Sequence, residues 1–270
     1  MIFVCPKCKG KLNREEGRAV CASGHSFDRS RYGYYNLLLS SVGGVHGDNA
    51  EMVDARREFL SYGYYEPLRE ALAEAVSTYA NEGITLVDAG CGEGYYTERI
   101  ADVLSAHPRT RVGAFDISKD AARRAAKRLG GAEVAVAGSY HMPLADGSVD
   151  IVINTFSPLA AEETGRVLRC GGHFIMAIPA EEHLFGLKSA IYDTPYKNTV
   201  ESTELEGFAL VGKKELKYEV KLDTGAKVRS LFMMTPYAYR TNAEGRRRVL
   251  SLDSLSTEAH FIILIYERRA

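Results

Sequence analysis

The stretch ITLVDAGCGEGYYTE, residues 84–98, decides the fold of this chain. An apolar β-type run leads into Gly90, Gly92 and Gly94 at G-x-G-x-G spacing, and a helical pattern follows. Glycines there let the backbone approach a ligand closely at the carboxyl end of a strand. The next apolar segment, TRVGAFDIS, ends in Asp116, where an acid commonly binds ribose hydroxyls. The pattern predicts a nucleotide-type site that contains Gly90 and Asp116.

Strand and helix patterns continue to alternate on the carboxyl side of this loop. SKDAARRAAKRLG predicts a helix capped by Ser118, and AEETGRVLRCGG predicts a helix closed by Gly171 and Gly172. The predicted strands are AEVAVAG, SVDIVINTFSP, HFIMAIP, FALVGKKELKYEVKL and AHFIILIYERR. Such alternation predicts an α/β fold with a doubly wound, mostly parallel sheet and ligands at its carboxyl edge.

The glycine loop favours one class of nucleotide site over another. A dinucleotide oxidoreductase needs G-x-G-x-x-G, but Tyr95 occupies the third glycine position. The acid-G-x-G-x-G loop, with an acid ending the next strand, resembles the class I S-adenosylmethionine-dependent methyltransferases. That resemblance implies a Rossmann-like domain with an antiparallel last strand, and S-adenosylmethionine as methyl donor.

Four metal-type ligands lie at the start of the chain, at C-x2-C-x12-C-x3-H spacing: Cys5, Cys8, Cys21 and His25. Two thiolates on a tight turn can face one ion, and the second pair can close a tetrahedral Cys3His site, a common structural zinc centre. About forty residues bury little core, so metal binding would supply most of the folding free energy of this module. The alternative is that the cysteines hold no metal. A disulfide framework is disfavoured, since the chain has five cysteines and no secretion signal.

Charge is unevenly distributed along the chain. The net charge is +4 for residues 1–40, −8 for residues 65–206 and +6 for residues 207–250. We expect a polyanionic partner to meet the basic flanks, although such charges can equally be solvated surface. No stretch approaches the ~20 apolar residues that span a bilayer. With no leader pattern at the start, the expectation is a cytoplasmic protein without membrane contact.

Nearly the whole chain resembles the bacterial 23S rRNA (guanine-N1)-methyltransferases, which join a zinc module to a class I methyltransferase domain. The matching motifs are C-P-x-C with C-x3-H-x-F-D, GYYNLL, GDNAEMVDARREFLSYGYYEPL, DAGCGEGYYT, FDISK, SYHMPLADGS and AIPAEEHL. The resemblance implies a zinc-binding RNA-recognition module (1–36), a linker with helices (37–80) and the methyltransferase domain (81–270).

The resemblance also implies cofactor contacts on matching positions. Tyr65 matches a cofactor-contacting tyrosine, Gly92 and Glu93 match contacts to the amino-acid portion, and His183 matches a residue that closes over the cofactor. Ser139, after the third strand, is expected beside the adenine. Each has a simpler alternative: Tyr65 can be a packing residue, and His183 can belong to a helix start.

The implied reaction is methyl transfer from S-adenosylmethionine to N1 of a specific guanine in a hairpin loop of 23S rRNA, by a homodimer; some family members confer macrolide resistance. Asn154 and Phe156, in INTFSP, are expected to form the floor under the base. No catalytic base is assigned. One alternative is a small-molecule methyltransferase whose structural zinc module serves oligomerisation. Another is an RNA-binding protein with a degenerate methyltransferase fold.

The N-terminal module is expected to clamp the RNA. Its candidate phosphate contacts are Lys7, Lys9, Lys11 and Arg14, and its candidate stacking residues are Tyr32, Tyr34 and Tyr35. A second basic strip is predicted from Arg246–Arg248 and the lysines of residues 213–227.

Overall fold

The structure is a computed structural model that describes residues 1–39, 47–200 and 203–269. Its strands are β1 (Leu12–Glu15), β2 (Arg18–Cys21), β3 (Ser26–Asp28), β4 (Tyr35–Asn36), β5 (Thr85–Ala89), β6 (Arg111–Asp116), β7 (Glu133–Val136), β8 (Val149–Thr155), β9 (Leu168–Pro179), β10 (Phe208–Leu222) and β11 (Leu255–Arg268). Its helices are α1 (Ala50–Ser61), α2 (Glu66–Tyr79), α3 (Tyr95–Leu104), α4 (Lys119–Arg128), α5 (Ala161–Val167), α6 (Phe185–Ile191), α7 (Gly225–Met233), α8 (Tyr237–Arg240) and α9 (Ala243–Leu250).

The main sheet has the strand order β10-β11-β9-β8-β5-β6-β7-β4. Strands β4 to β9 pair in parallel, and β11 lies antiparallel between β9 and β10. Alternate residues of β5 enter different cores: Leu86 packs in one, with helix residues of α2 and α3, and Val87 packs in the other. Both faces of the sheet are therefore covered, as parallel sheets require. The predicted doubly wound sheet with an antiparallel last strand is confirmed.

The N-terminal module shares its core with the main sheet. Strands β1, β2 and β3 form a small antiparallel sheet, whereas β4 joins the main sheet beside β7, with Tyr35 opposite Ala135. Phe3 is fully buried in the same cluster as Phe115 of β6. The N–H of Ile2 also donates to Glu133 at 2.9 Å. The module is thus fixed against the sheet by pairing, packing and hydrogen bonds.

The helix predicted over residues 161–172 is wrong at its carboxyl end. Helix α5 ends at Val167, and β9 begins at Leu168. Leu168 pairs with Val149, but the next pair joins His173 to Ile151, so the residues between form an irregularity in β9. Gly171 has a φ of +70°, which such a bulge accommodates. The two glycines therefore belong to a bulged strand and do not close a helix.

Membrane-spanning helices are absent from the part of the chain that the structure describes, where no helix is both long and apolar enough to cross a bilayer.

Candidate active site and metal centre

The glycine loop forms a tight turn between β5 and α3. Gly90, Gly92 and Gly94 have φ values of +90°, +55° and +85°, a region that side-chain-bearing residues rarely adopt. The N–H of Gly90 donates to the carbonyl of Phe115, which ties the loop to the tip of β6. A Cβ at Gly90 would lie 2.1 Å from the Ser157 hydroxyl, whereas one at Gly92 would meet nothing within 4 Å. The loop is closed on one side and open at Gly92.

Asp116 lies at the tip of β6 and organises this open side. Its carboxylate accepts the N–H of Gly92 at 2.9 Å and the N–H of Ser118 at 2.8 Å. Burial raises the pKa of Asp116, although both hydrogen bonds oppose the rise. Ser139 is half-buried and follows the neighbouring strand β7, at the same edge of the sheet. This arrangement suits a carboxylate that accepts hydrogen bonds from the hydroxyl groups of a ribose.

Glu93 is buried and already has a partner. Its carboxylate forms an ion pair with Arg128 at 3.0 Å and lies 3.8 Å from Arg57. Burial nevertheless raises its pKa, with the two arginines acting in the opposite direction. The ion pair with Arg128 therefore holds the glycine loop against α4 and fixes the position of the Glu93 side chain.

Asp88, at the end of β5, carries a buried oxygen that no described residue contacts by a hydrogen bond. Oδ2 accepts the hydroxyl proton of Thr97 at 2.6 Å, while Oδ1 has no partner among the described residues. Burial raises the pKa of Asp88 to about 7. Buried acceptors are normally satisfied, so this oxygen fits a donor or cationic group on a bound ligand. Together with the cradle at Gly92, it fits S-adenosylmethionine, whose amino and sulfonium groups are cationic.

An aromatic cluster lies around the tip of β8 and is formed by Tyr65, Tyr96, Phe156, His183 and Phe261. Tyr65 is buried, with its ring centroid 5.0 Å from that of Phe261 and its hydroxyl 3.4 Å from His183 Nε2. The Phe156 ring lies 6.5 Å from Tyr65, 6.4 Å from Tyr96 and, nearly parallel, 6.3 Å from His183. Tyr65, Phe156 and His183 are thus brought together, whereas Tyr96 and Phe261 were not predicted from the sequence.

Phe156 is held in an unusual conformation at the tip of β8. Its φ is +58°, which is rare for a side-chain-bearing residue, and its side chain is 43% exposed. Asn154 shapes this turn: its Nδ2 donates to the carbonyl of Pro158, and its Oδ1 accepts the N–H of Ser157. Asn154 is buried, and both ends of its amide are occupied by these two bonds. It therefore shapes the turn and does not form the predicted floor under the base. Strained residues on a rigid edge cluster at binding sites.

The four predicted metal ligands converge. The ligand atoms of Cys5, Cys8, Cys21 and His25 all lie within 4.8 Å of one another. Cys8 Sγ is 3.6 Å from Cys21 Sγ, and His25 Nδ1 is 3.4 Å from Cys21 Sγ. Sulfurs bonded to zinc at ~2.3 Å in a tetrahedron lie roughly 3.8 Å apart, so the donor set fits zinc. All four corners are protein ligands, as in structural sites.

Several side chains that were predicted to contact RNA are buried or already paired with other protein groups. Tyr35 is 4% exposed and packs in the core, so it cannot stack on a base. Tyr32 lies against three cations, with its ring centroid 4.8 Å from Arg31, 5.7 Å from Arg123 and 4.9 Å from Lys127. In the second strip, Arg246 and Arg248 hold the backbone around α9, and several lysines are ion-paired; these are Lys214, Lys217, Lys221 and Lys227.

Comparison with known proteins gives two matching family models. The model described as "RlmA, N-terminal" matches residues 3–39, and the methyltransferase-domain model matches residues 87–176. The chain is 32% identical to the 23S rRNA (guanine(748)-N(1))-methyltransferase of Streptomyces fradiae, over 93% of this chain and 91% of that protein. It is 36% identical to the "Putative 23S rRNA (guanine-N(1)-)-methyltransferase" of Micromonospora griseorubida (88% and 87% covered). It is 31% identical to the "Putative 23S rRNA (guanine-N(1)-)-methyltransferase YxjB" of Bacillus subtilis (strain 168), over 88% of this chain and 87% of that protein.

The fold and site define a class I S-adenosylmethionine-dependent methyltransferase preceded by a zinc ribbon. The glycine loop at a strand tip, the acid on the next strand and the antiparallel last strand all belong to that class. Within it, this chain belongs to the 23S rRNA (guanine-N1)-methyltransferase family.

Proposed function

We propose that the protein transfers the methyl group of S-adenosylmethionine to N1 of one guanine in a hairpin loop of 23S rRNA. The observation that carries this proposal is the position of Phe156, strained and exposed beside the cofactor loop, in a chain whose relatives are named for this reaction. The donor supplies a methyl group already activated by its sulfonium. As the N1 proton passes to water, the N1 electron pair forms the new bond to the methyl carbon, and the carbon–sulfur pair goes to sulfur.

The residues at the edge of the sheet support the alignment that this displacement needs. Asp116 and the Gly92 N–H fix the cofactor loop, and the Phe156 ring offers a face on which a guanine can stack. The buried rings of Tyr65 and Phe261 line the same region and exclude water. Because Watson–Crick pairing occupies N1, the target guanine must be unpaired or turned out of its stack.

The basic zinc module supports a polyanionic substrate. It is fixed beside the sheet, and the exposed side chains of Lys7, Lys9 and Lys11 can contact phosphates. With 23S rRNA as substrate, the protein acts in the cytoplasm, and we expect it to do so as a homodimer, which light scattering of the purified protein can test. The alternative, a small-molecule methyltransferase, needs the same cofactor loop but not this basic surface.

Mass spectrometry of 23S rRNA tests the proposal directly. The rRNA comes from a strain that lacks the equivalent enzyme and is incubated with purified protein and methyl-labelled S-adenosylmethionine. We expect one new 1-methylguanosine, in a hairpin loop. Gly90→Ala should abolish it, since the added Cβ meets Ser157, whereas Gly131→Ala meets nothing within 4 Å and should keep it. Cofactor binding without RNA labelling would favour the small-molecule alternative.

A further inference from the structure

Lys188 is a buried cation that has no acidic partner among the residues the structure describes. It lies in α6 and is 0% exposed, and its ammonium donates to the carbonyl of Tyr196 at 3.1 Å and to Oδ1 of Asn198 at 2.6 Å. Among the described residues, no carboxylate forms an ion pair with it. Its Nζ also lies 4.4 Å from the centre of the Tyr196 ring. Burying an ammonium costs free energy unless it is hydrogen-bonded, so the position of Lys188 depends on these two acceptors and on the ring.

The partner of Lys188 links it to the turn that carries His183. Since an ammonium can only donate, it requires Oδ1 of Asn198 to face it, which directs Nδ2 the other way. That Nδ2 donates to the carbonyl of Ala180 at 2.8 Å and to the carbonyl of His183 at 3.3 Å. The backbone N–H of Asn198 also donates to the carbonyl of Glu181. Lys188 therefore sets the amide orientation that closes the turn over residues 180–183.

The closed turn places the His183 ring against β11, where a backbone N–H fixes its tautomer. The backbone N–H of His260 donates to His183 Nδ1 at 3.3 Å, so the neutral ring carries its proton on Nε2. Nε2 lies 3.4 Å from the Tyr65 hydroxyl, which therefore accepts from His183 and keeps its own proton to donate. Burial, with Lys188 as a further cause, lowers the pKa of His183 to about 3, so the ring stays neutral. His183 Nε2 cannot then serve as acceptor for the guanine N1 proton.

We propose that Lys188 is a positioning residue, which acts through Asn198 to hold His183 as an Nε2–H donor and thereby directs the Tyr65 hydroxyl proton to an oxygen acceptor of the bound reactants. The acceptor is either the carboxylate of the cofactor or O6 of the guanine, and both have the same hydrogen-bonding chemistry. The assignment goes beyond the proposed function by naming what orients its site.

Asn198→Asp is the decisive variant. The new carboxylate pairs with Lys188 and so preserves or improves the buried contact, but it cannot donate to Ala180 and His183. We expect the fold to be kept, as checked by circular dichroism, while either the Kd of S-adenosylhomocysteine, by calorimetry, or the KM for a 23S rRNA hairpin transcript rises about tenfold or more. A rise in Kd places the acceptor on the cofactor, and a rise in KM alone places it on guanine. Asn242→Asp, at the exposed N-cap of α9, is the matched control and should change neither.

Nitrogen NMR of the imidazole gives a readout that packing alone would not move. In the wild-type protein at pH 7, His183, assigned by His183→Gln, should be the Nε2–H tautomer, and Asn198→Asp should average the two tautomers. Lys188→Met is a second variant, expected to shift both readouts in the same direction; if it fails to fold, Asn198→Asp alone decides.

The assignment is overturned if Asn198→Asp keeps the tautomer and leaves both constants within twofold of wild type. Failure of the wild-type protein to methylate RNA would instead overturn the proposed function, since ligand binding and the NMR signal need no RNA substrate. The two failures are therefore distinguishable.

Discussion

Thr97 and Asp88 form a buried pair in which, within the part of the chain that the structure describes, only one carboxylate oxygen has a hydrogen-bond partner. The Thr97 hydroxyl donates to Oδ2 at 2.6 Å, and Oδ1 has no partner among the described residues. Because this oxygen is free to accept, we expect the protonation of Asp88 to respond to a bound cation.

Cofactor affinity should therefore rise with pH. Burial raises the pKa of Asp88 from 3.8 to about 7, so the folded protein without ligand holds the proton below about pH 7, and raising the pH from about 4 to 7 costs stability. A cationic ligand favours the ionised carboxylate, so calorimetry should show tighter S-adenosylmethionine binding at pH 8 than at pH 6, with proton release at the lower pH. Asp88→Asn should remove this dependence. An equally pH-dependent affinity in that variant would contradict the assignment.

Phe156→Ala should separate substrate binding from cofactor binding. Loss of base stacking, about 1–3 kcal/mol, should lower kcat/KM for RNA about tenfold to a hundredfold, while the Kd of S-adenosylhomocysteine changes less than twofold. Phe156→Tyr should retain activity. Leu159→Ala, at a residue of similar exposure (37% against 43%) in the same loop, is the control. An equal loss in both alanine variants would mean that the loop conformation matters and the ring does not.

Removal of zinc should destabilise the whole chain. Cys5 and Cys21 are buried in the core cluster that also contains Phe115 of the main sheet. Loss of the metal should therefore loosen the packing of that core and destabilise the sheet. We expect one zinc per chain by elemental analysis, and a fall in Tm of roughly 5–15 °C for Cys21→Ser, as a loss of several kcal/mol implies. Cys170→Ser, at an exposed thiol, should change neither value. Unaltered Tm and metal content in Cys21→Ser would exclude the site.

Neutralising the basic side chains of the zinc module should weaken RNA binding and its salt dependence. The triple change of Lys7, Lys9 and Lys11 to glutamine should reduce the slope of log K against log salt by about 2, since each phosphate contact contributes about 0.7–0.9. Arg14 stays unchanged because its contact with Glu133 at 3.1 Å supports the module.

The charge-matched control for this triple change replaces three ion-paired lysines with glutamine: Lys214, Lys221 and Lys227. A larger effect from the control would place the RNA beside β10 and not beside the zinc module.

The sequence predicted those elements that depend on residue spacing and on the backbone preferences of neighbouring residues. The glycine loop, the Ser118 cap and the four metal ligands needed only spacing and backbone preference, and each appears as expected. The bulge in β9 was missed because its two glycines fit a helix end equally well until the pairing with β8 is known. The unsatisfied oxygen of Asp88 and the Lys188–Asn198 contact depend on burial and on the folded path of the chain. Neither feature can be predicted from residue spacing in the sequence.

The short strand β4 has a consequence for how the chain folds. Its partner is β7, and Tyr35 must find Ala135 one hundred residues further along the chain. Contacts between such distant segments form slowly, because a long loop must close before any stabilisation is gained. During synthesis the zinc ribbon therefore emerges well before its place in the sheet exists, and its strand stays unpaired until residue 136 has left the ribosome. Early metal loading would hold β1, β2 and β3 together until the sheet is complete.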